Sequence, residues 1–560
     1  MRILDSREFK ICAILFSVSL IARFIYLWDI SSTLFFRNAL VDEYVYNQMA
    51  EAILKGLPEP DGVFRSPLYP FFLALCYVVF GQSIAVARVI QMIVGGVCTV
   101  LLYRLALYIV ERRAAILSAL IYSIYWPAIY FQGELLIISI LCTLLVLTVH
   151  FYIRALRRTG VNRSYLISGL LLGASCLARG TALFFYPVFA FFTLRCGKRG
   201  KGTKSLLVFT VATVSLILVS GFRNYFRTGE FVLLSSNGAI NFYTGNNIEA
   251  DGINPISPGL KWNKLIKEPV LVGLRTAGEQ SKYWIRKSLD FIAENPSRFL
   301  HLYLKKCYAF WNSFEISNNK DIYYIRSLSR FLSAPLLGFG IIGPLSILSL
   351  LFIKRGTSHL KVLWALVVVY MLGNAFFFAA ARYRMAVVPF IIIIASHAAI
   401  SLYDTGRRRD WGMVFKSAMV LLAAGLFVNL DPMNLKGSIN TRPHFQTGQL
   451  YLMQNRYDEA IQEMMKDLKC YPHDPDILNN LGVVYEKKRN FEEAEKFYRE
   501  ALKTGEFSGV RWNLGVLYYE DGKYVEARAE LLKALDGDPY NPSIQNGLKL
   551  VEKRLSETGG

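Results

Sequence analysis

Two adjacent carboxylates, Asp42 and Glu43, follow a run of about twenty mostly apolar residues, Phe9 to Trp28, long enough to cross a bilayer core. Ionisable groups at a membrane face are costly to desolvate, so an acidic pair there points to catalysis or ion binding. Downstream come Tyr44, Tyr46, Ala50, Ile53 and Gly56, then Arg65-Ser66-Pro67-Leu68-Tyr69-Pro70. Glu134 stands in Gln132-Gly133-Glu134 and Arg179 in Leu177-Ala178-Arg179-Gly180, with Arg223, Arg382 and Arg384 further along. A run dense in amides and hydroxyls, 235–247, contains Asn237, Asn241, Tyr243 and Asn246.

The elements that must position these groups are membrane helices. The chain has 560 residues, 53% of them hydrophobic, with a mean hydropathy of +0.32. That is too apolar for a soluble protein of this size. The net charge of +21 is uneven: from Thr441 onward there are 17 basic and 20 acidic residues, so the preceding part carries +24. Most of that excess sits in short loops between apolar runs, which marks the cytoplasmic side rather than a nucleic-acid surface. The eight cysteines include no CxxC pair and no Cys/His spacing that suggests zinc. The first apolar run is long and lacks a small-residue cleavage site, so it reads as a signal anchor.

Apolar segments near residues 9–28, 83–110, 114–131, 135–153, 165–178, 181–194, 205–222, 331–353, 361–378, 385–403 and 413–430 give about eleven spans. With the N-terminus inside, the cytoplasmic side gathers Arg2, Arg7, Lys10, Arg112, Arg113, Arg154, Arg157, Arg158, Arg163, Arg195, Lys198, Arg199, Lys201, Lys204, Lys354, Arg355, Lys361 and Arg407 to Arg409. The first outer loop, 29–82, has only Arg37, Lys55 and Arg65. Such asymmetry sets orientation. Asp42-Glu43, the loop 223–330 and everything after residue 430 are therefore expected outside.

Residues 441–541 repeat with a period of about 34. Gly448, Gly482 and Gly515 align, followed by Tyr451, Tyr485 and Tyr518, then Ala460, Ala494 and Ala527, then Met464, Tyr498 and Leu531. This is the tetratricopeptide pattern, in which small residues let paired helices approach and large ones fill the gap. The expected domains are a membrane part over 1–430, a linker over 431–440, and three repeats over 441–556 that end in a capping helix near Pro542 to Leu555. The repeats offer a surface for a protein or peptide partner, or stand as a folded appendage without a dedicated ligand.

The membrane part, over roughly residues 10–400, resembles the GT-C superfamily of glycosyltransferases, nearest its protein O-mannosyltransferase and aminoarabinose-transferase branch. The resemblance rests on Asp42-Glu43 after the first span, Arg65-x-Pro67-x-Tyr69-Pro70, the stretch from Arg223-Asn224 to Asn247, and Arg382-Tyr383-Arg384. Met385 stands where related sequences often have proline. The resemblance implies an all-α polytopic bundle that transfers a sugar, with inversion, from a polyprenyl-phosphate donor to a protein or glycan acceptor on the outer face. Asp42 would then be the general base, with Glu43 holding the acceptor or tuning Asp42. A lipid-phosphate leaving group calls for arginine, whose planar fork binds phosphate oxygens; the candidates are Arg65, Arg179, Arg223, Arg382 and Arg384. Glu134, Asn237, Asn241, Tyr243 and Asn246 are the candidate sugar and acceptor contacts.

The plainer alternatives are a helix cap for Asp42-Glu43, snorkelling for the arginines and a turn scaffold for 235–247. His301 reads as structural. No cofactor is fixed by the sequence: a carboxylate pair is able to take a divalent cation, but no ligand cluster supports one. The 15 basic and 9 acidic residues of 223–330 favour an anionic lipid surface. Two competing functions are a noncatalytic envelope scaffold built on the repeats and a transporter of a lipid-linked substrate. The transporter predicts inverted hydropathy repeats and broken charged spans. The sequon Asn162-Arg163-Ser164 falls on the cytoplasmic side, and proline excludes Asn295-Pro296-Ser297 and Asn541-Pro542-Ser543. The expected location is a bacterial plasma membrane or an endoplasmic reticulum membrane, and the lack of a usable sequon on the outward side favours the bacterial one.

Overall fold

The computed structural model describes residues 6–558 apart from 61, 158–161, 197–200, 255, 257, 354–357 and 439–440. Arg2, Arg158, Lys198, Arg199, Lys354 and Arg355 of the charge count, and the last two linker residues, lie outside the described residues. Among those described, every regular element is a helix. The chain divides into two compact units, one formed by Met1–Pro255 with Trp284–Ile439, the other by Ile256–Tyr283 with Asn440–Gly560.

Among its described residues the first unit holds six helices long and apolar enough to cross a membrane: Ser6–Ile30, Ile84–Ala106, Ile138–Arg157, Gly202–Thr228, Val388–Arg407 and Trp411–Asn429. A seventh candidate is the pair Arg112–Ile124 and Trp126–Gly133, bent by 51°. The bend has a local cause. Tyr125, between the two helices, is extended, and Pro127, which lacks an N–H, sits in the first turn of the second helix, where it needs no intrahelical partner. The freed Trp126 N–H donates to the Leu337 carbonyl at 3.2 Å. Shorter apolar helices are Leu68–Phe80, Gly180–Arg195, Phe339–Phe352 and His359–Asn374. The stretch 29–82, expected as an outer loop, thus contains the amphipathic helix Asp42–Leu54 and the apolar Leu68–Phe80. At 13 residues the latter is about 20 Å long, well short of a bilayer core.

Close packing of spans rests on small residues. A side chain at Gly169 would collide with the Phe209 carbonyl, and one at Gly173 would lie 2.8 Å from the Thr213 carbonyl. These two glycines, one turn apart, let helix Asn162–Ala178 meet helix Lys201–Thr228 backbone to backbone. Thr213 Oγ1 then donates to the Gly169 carbonyl at 3.1 Å.

The second unit contains the helical pairs Pro443–Met453 with Tyr457–Cys470, Pro475–Lys487 with Phe491–Lys503, and Ser508–Glu520 with Tyr524–Gly537, followed by Pro542–Thr558. A Cβ at Gly448, Gly482 or Gly515 would meet Met464 at 2.6 Å, Tyr498 at 2.5 Å or Leu531 at 2.8 Å. The aligned small and large residues of the repeat therefore pack on each other. Ala460, Ala494 and Ala527 are fully buried. This is a tetratricopeptide solenoid of three repeats with a terminal helix. The segment Ile256–Tyr283, from within the loop 223–330, belongs to the same unit.

Candidate active site

Asp42 opens the helix Asp42–Leu54, where free backbone N–H groups favour a carboxylate. The preceding Val41 has φ 54° and ψ −121°, a conformation that strains a β-branched residue by about 1–3 kcal/mol. Asp42 is 14% exposed. Its Oδ1 accepts from Arg65 at 2.8 Å; its Oδ2 accepts from Arg382 at 2.7 Å and from Asn319 Nδ2 at 2.8 Å. Burial alone would raise the pKa of this carboxyl, but Arg382 and Arg65 outweigh it and hold the group well below the usual carboxylate range.

One helical turn beyond Asp42, Tyr46 faces the same cluster. The Arg65 guanidinium lies 6.0 Å from its ring centre, and the Tyr69 ring meets it edge-on at 4.9 Å. Burial and the nearby Asp42 charge push the Tyr46 hydroxyl up to about 12, and the charges of Arg65, Arg382 and Arg179 act against them. Arg179 lies 3.9 Å over the Tyr383 ring, and Arg382 lies 5.3 Å from the same ring. Among the described residues Arg179 has no carboxylate partner. The geometry thus sets Asp42 between Arg65 and Arg382 with Asn319 and Tyr46, and places Arg179 on the Tyr383 ring beside Arg382.

Glu43 points the other way. It is buried, accepts from the Leu135 N–H at 2.7 Å and from Lys320 Nζ at 2.7 Å, and pairs with Arg88 at 3.3 Å. Lys320 also reaches Glu134 at 2.6 Å. Burial would raise both carboxyls. Glu43 has three donors and is held down, whereas Glu134 shares Lys320 and faces the Glu43 charge, and is pushed up to about 7. Adjacent Asn319 and Lys320 therefore clasp adjacent Asp42 and Glu43 on two sides of one helix.

The remaining candidates are engaged with other partners. Arg384 is buried against Glu315 at 2.7 Å and donates to the carbonyls of Phe310 and Asn312 at 2.9 and 2.7 Å. In the short turn Ala381–Arg384, alternate residues diverge, so only Arg382 reaches Asp42. Arg223 pairs with Glu59, together with Arg227. Asn246 is buried, donates to the Phe242 and Phe376 carbonyls and accepts from Lys306 Nζ at 3.0 Å. Burial pushes that lysine down to about 7. Tyr243 packs on Trp284 at 4.7 Å. Asn237 lies beside the Arg65 segment, its N–H donating to the Phe64 carbonyl at 3.3 Å, and its side chain accepts from Ser235 at 3.0 Å. Asn241 is half-buried on the same helix, Asn237–Gly245.

Sequence reasoning passed over Asn319, Lys320 and Tyr46 as site residues. Tyr46 carried a signal, its four-residue spacing from Asp42; Asn319 and Lys320, in an irregular loop, carried none. For a divalent cation, the donor set does not gather: among the described residues no three His, Cys, Asp or Glu side chains form a metal-binding group. Both Asp42 oxygens already accept from nitrogen donors.

Residues 64–223 match the family model described as dolichyl-phosphate-mannose-protein mannosyltransferase. Residues 475–504 and 506–542 match tetratricopeptide repeat models. The chain is thus similar to that mannosyltransferase family over residues 64–223 and carries tetratricopeptide repeats in its tail. The human protein O-mannosyl-transferase TMTC1 is 31% identical over 116 residues, 19% of this chain and 13% of that protein. The chain thus matches only a small part of that relative's length. Among solved structures, the oligosaccharyltransferase AglB of Archaeoglobus fulgidus, in complex with an inhibitory peptide and a dolichol-phosphate, is 15% identical with a TM-score of 0.43, covering 80% of this chain and 59% of that one. ArnT of Cupriavidus metallidurans, bound to undecaprenyl phosphate, is 13% identical with a TM-score of 0.41, covering 94% and 77%. The mannosyltransferase match includes Arg65, Glu134, Arg179 and Arg223, while Asp42 and Arg382 lie outside it.

Proposed function

We propose that the chain is a membrane glycosyltransferase that moves a sugar from a polyprenyl-phosphate donor to an acceptor hydroxyl at Asp42, on the outer face of a bacterial plasma membrane. The observation that carries this reading is one partly buried carboxylate held by Arg65 and Arg382, with Arg179 on the Tyr383 ring that Arg382 also faces. Arginines of this kind suit a phosphate, and a fixed carboxylate suits an acceptor proton. Asp42 takes the proton as the acceptor oxygen bonds to the anomeric carbon. The bond from that carbon to the phosphate oxygen breaks, its electron pair stays on the phosphate, and the configuration inverts.

A carboxylate with so low a pKa is a weak base while both arginines hold it. An entering phosphate competes for the same two guanidinium groups, loosens them from Asp42 and raises its basicity when the donor is in place. Arg179, without a carboxylate to leave, is the first cation free to meet the phosphate. The name of the human relative favours a protein acceptor, which the repeats would bring to the site at raised effective concentration. The test uses purified protein, a panel of radiolabelled polyprenyl-phosphate sugars and host membrane extract, with wild type and Asp42→Asn side by side. Transfer by wild type alone supports the reading; equal transfer by both removes Asp42 from it. A folded protein that binds no donor in the panel favours the scaffold.

A further inference from the structure

The segment Ile256–Tyr283 packs within the repeat unit as a ligand would. The Leu260 N–H donates to Asp476 Oδ1 at 2.7 Å, at the first turn of helix Pro475–Lys487. Gly259, with φ +156°, makes that approach possible, since any Cβ there would collide with the Asp476 carboxylate. The Leu260 side chain joins the repeat core and lies 3.4 Å from the Cβ position of Gly509 in the next repeat. Lys264 stands over the Phe507 ring at 6.0 Å and helps hold the Glu506 carboxyl below its ordinary value, behind Arg511. Lys267 Nζ lies 2.5 Å from Asp538, and Arg275 lies over Tyr540 at 4.9 Å.

Leu260, Lys264 and Lys267 share one face of the helix Leu260–Leu271. Asp476 and Asp538, which this segment contacts, and Glu506, which Arg511 pairs with and the Lys264 charge also acts on, recur about once per repeat, each near the start of the next unit. The array therefore presents a regular acidic edge, and the chain itself occupies it with a glycine, an apolar residue and two spaced lysines. The polar contacts are partly exposed and individually weak, so the segment is held largely because it is tethered.

We propose that residues 256–283 are a built-in occupant of this acidic edge, displaced by the array's partner, a polypeptide segment of the same chemistry. Such a segment carries a glycine and an apolar residue, followed by basic residues four and seven positions after the apolar one. The proposal concerns binding and stands apart from sugar transfer. Its test uses the full-length protein in detergent and a fluorescent peptide copying residues 257–274. The peptide should bind Lys264→Glu/Lys267→Glu at least tenfold more tightly than wild type, because the internal competitor is released, and the same two changes in the peptide should remove binding. In wild type, excess unlabelled peptide should speed tryptic cleavage after Lys264 and Lys267, a readout that needs no variant. Equal binding to both proteins, no binding to the released variant, or cleavage unaffected by peptide would each overturn the proposal.

Discussion

Three neighbouring pairs show how finely the site is divided. Asp42 and Glu43, Asn319 and Lys320, and Arg382 and Arg384 each send one member to the arginine cluster and the other into buried structure. Asp42→Asn should lower transfer by about 10²–10⁴, the range of a lost general base, and should also lower the melting temperature, because Arg65 and Arg382 lose their anion. Donor affinity should hold or rise, because the two arginines lose their competing anion; a donor-binding titration beside the transfer assay separates these effects. The two arginines should fail differently. Arg382→Lys should raise the donor KM at little cost to folding, whereas Arg384→Met should strand the buried Glu315 and destabilise the protein by about 3–5 kcal/mol. Thermal unfolding and donor kinetics on both variants check this. The sequence shows Arg382 and Arg384 equally, since which of two alternate residues turns inward depends on packing around a four-residue helix.

At the scale of elements, the loop bearing Asn319-Lys320 fastens helix Asp42–Leu54 to the turn at Glu134, and Glu43 on the same helix also pairs with Arg88 in helix Ile84–Ala106. This clasp should make stability depend on pH. Glu134 binds its proton more tightly folded, near 7, than unfolded, near 4.5. The folded state therefore holds the extra proton between those values, and stability should fall as pH rises through that window. Asp42 acts oppositely: its pKa is depressed, so its contribution is present above the unfolded value and lost only in strong acid. Melting temperatures from pH 4 to 8 should fall with pH in wild type and flatten in Glu134→Gln; parallel curves would remove Glu134 as the titrating group. Elements were legible where a period existed. The pairing of Gly482 with Tyr498, and of Gly515 with Leu531, follows from the alignment of the repeats alone. The clasp has no period, joining residues nearly three hundred positions apart through an irregular loop, and the docking of 256–283 is legible only once the acidic residues of successive repeats are seen along one edge.

At the scale of the whole molecule, sidedness decides whether the repeats and Asp42 work together. The proposed chemistry requires the polyprenyl phosphate, Asp42 and the repeats to share the outer face, as expected from the distribution of arginine and lysine between apolar runs. Cysteine accessibility tests this without any enzyme assay. Among the described cysteines, Cys12, Cys76, Cys98, Cys142 and Cys176 are buried and Cys307 is half-buried, whereas Cys470, at the end of helix Tyr457–Cys470 in the first repeat, is exposed. A membrane-impermeant maleimide applied to intact cells or spheroplasts should therefore label the protein chiefly at Cys470, and Cys470→Ser should remove most of that label. An inward-facing tail gives the reverse, with Cys470 labelled only after permeabilisation. That result would place the repeats across the membrane from Asp42, end their role in presenting the acceptor there, and leave the arginine cluster to act on an acceptor it recognises unaided.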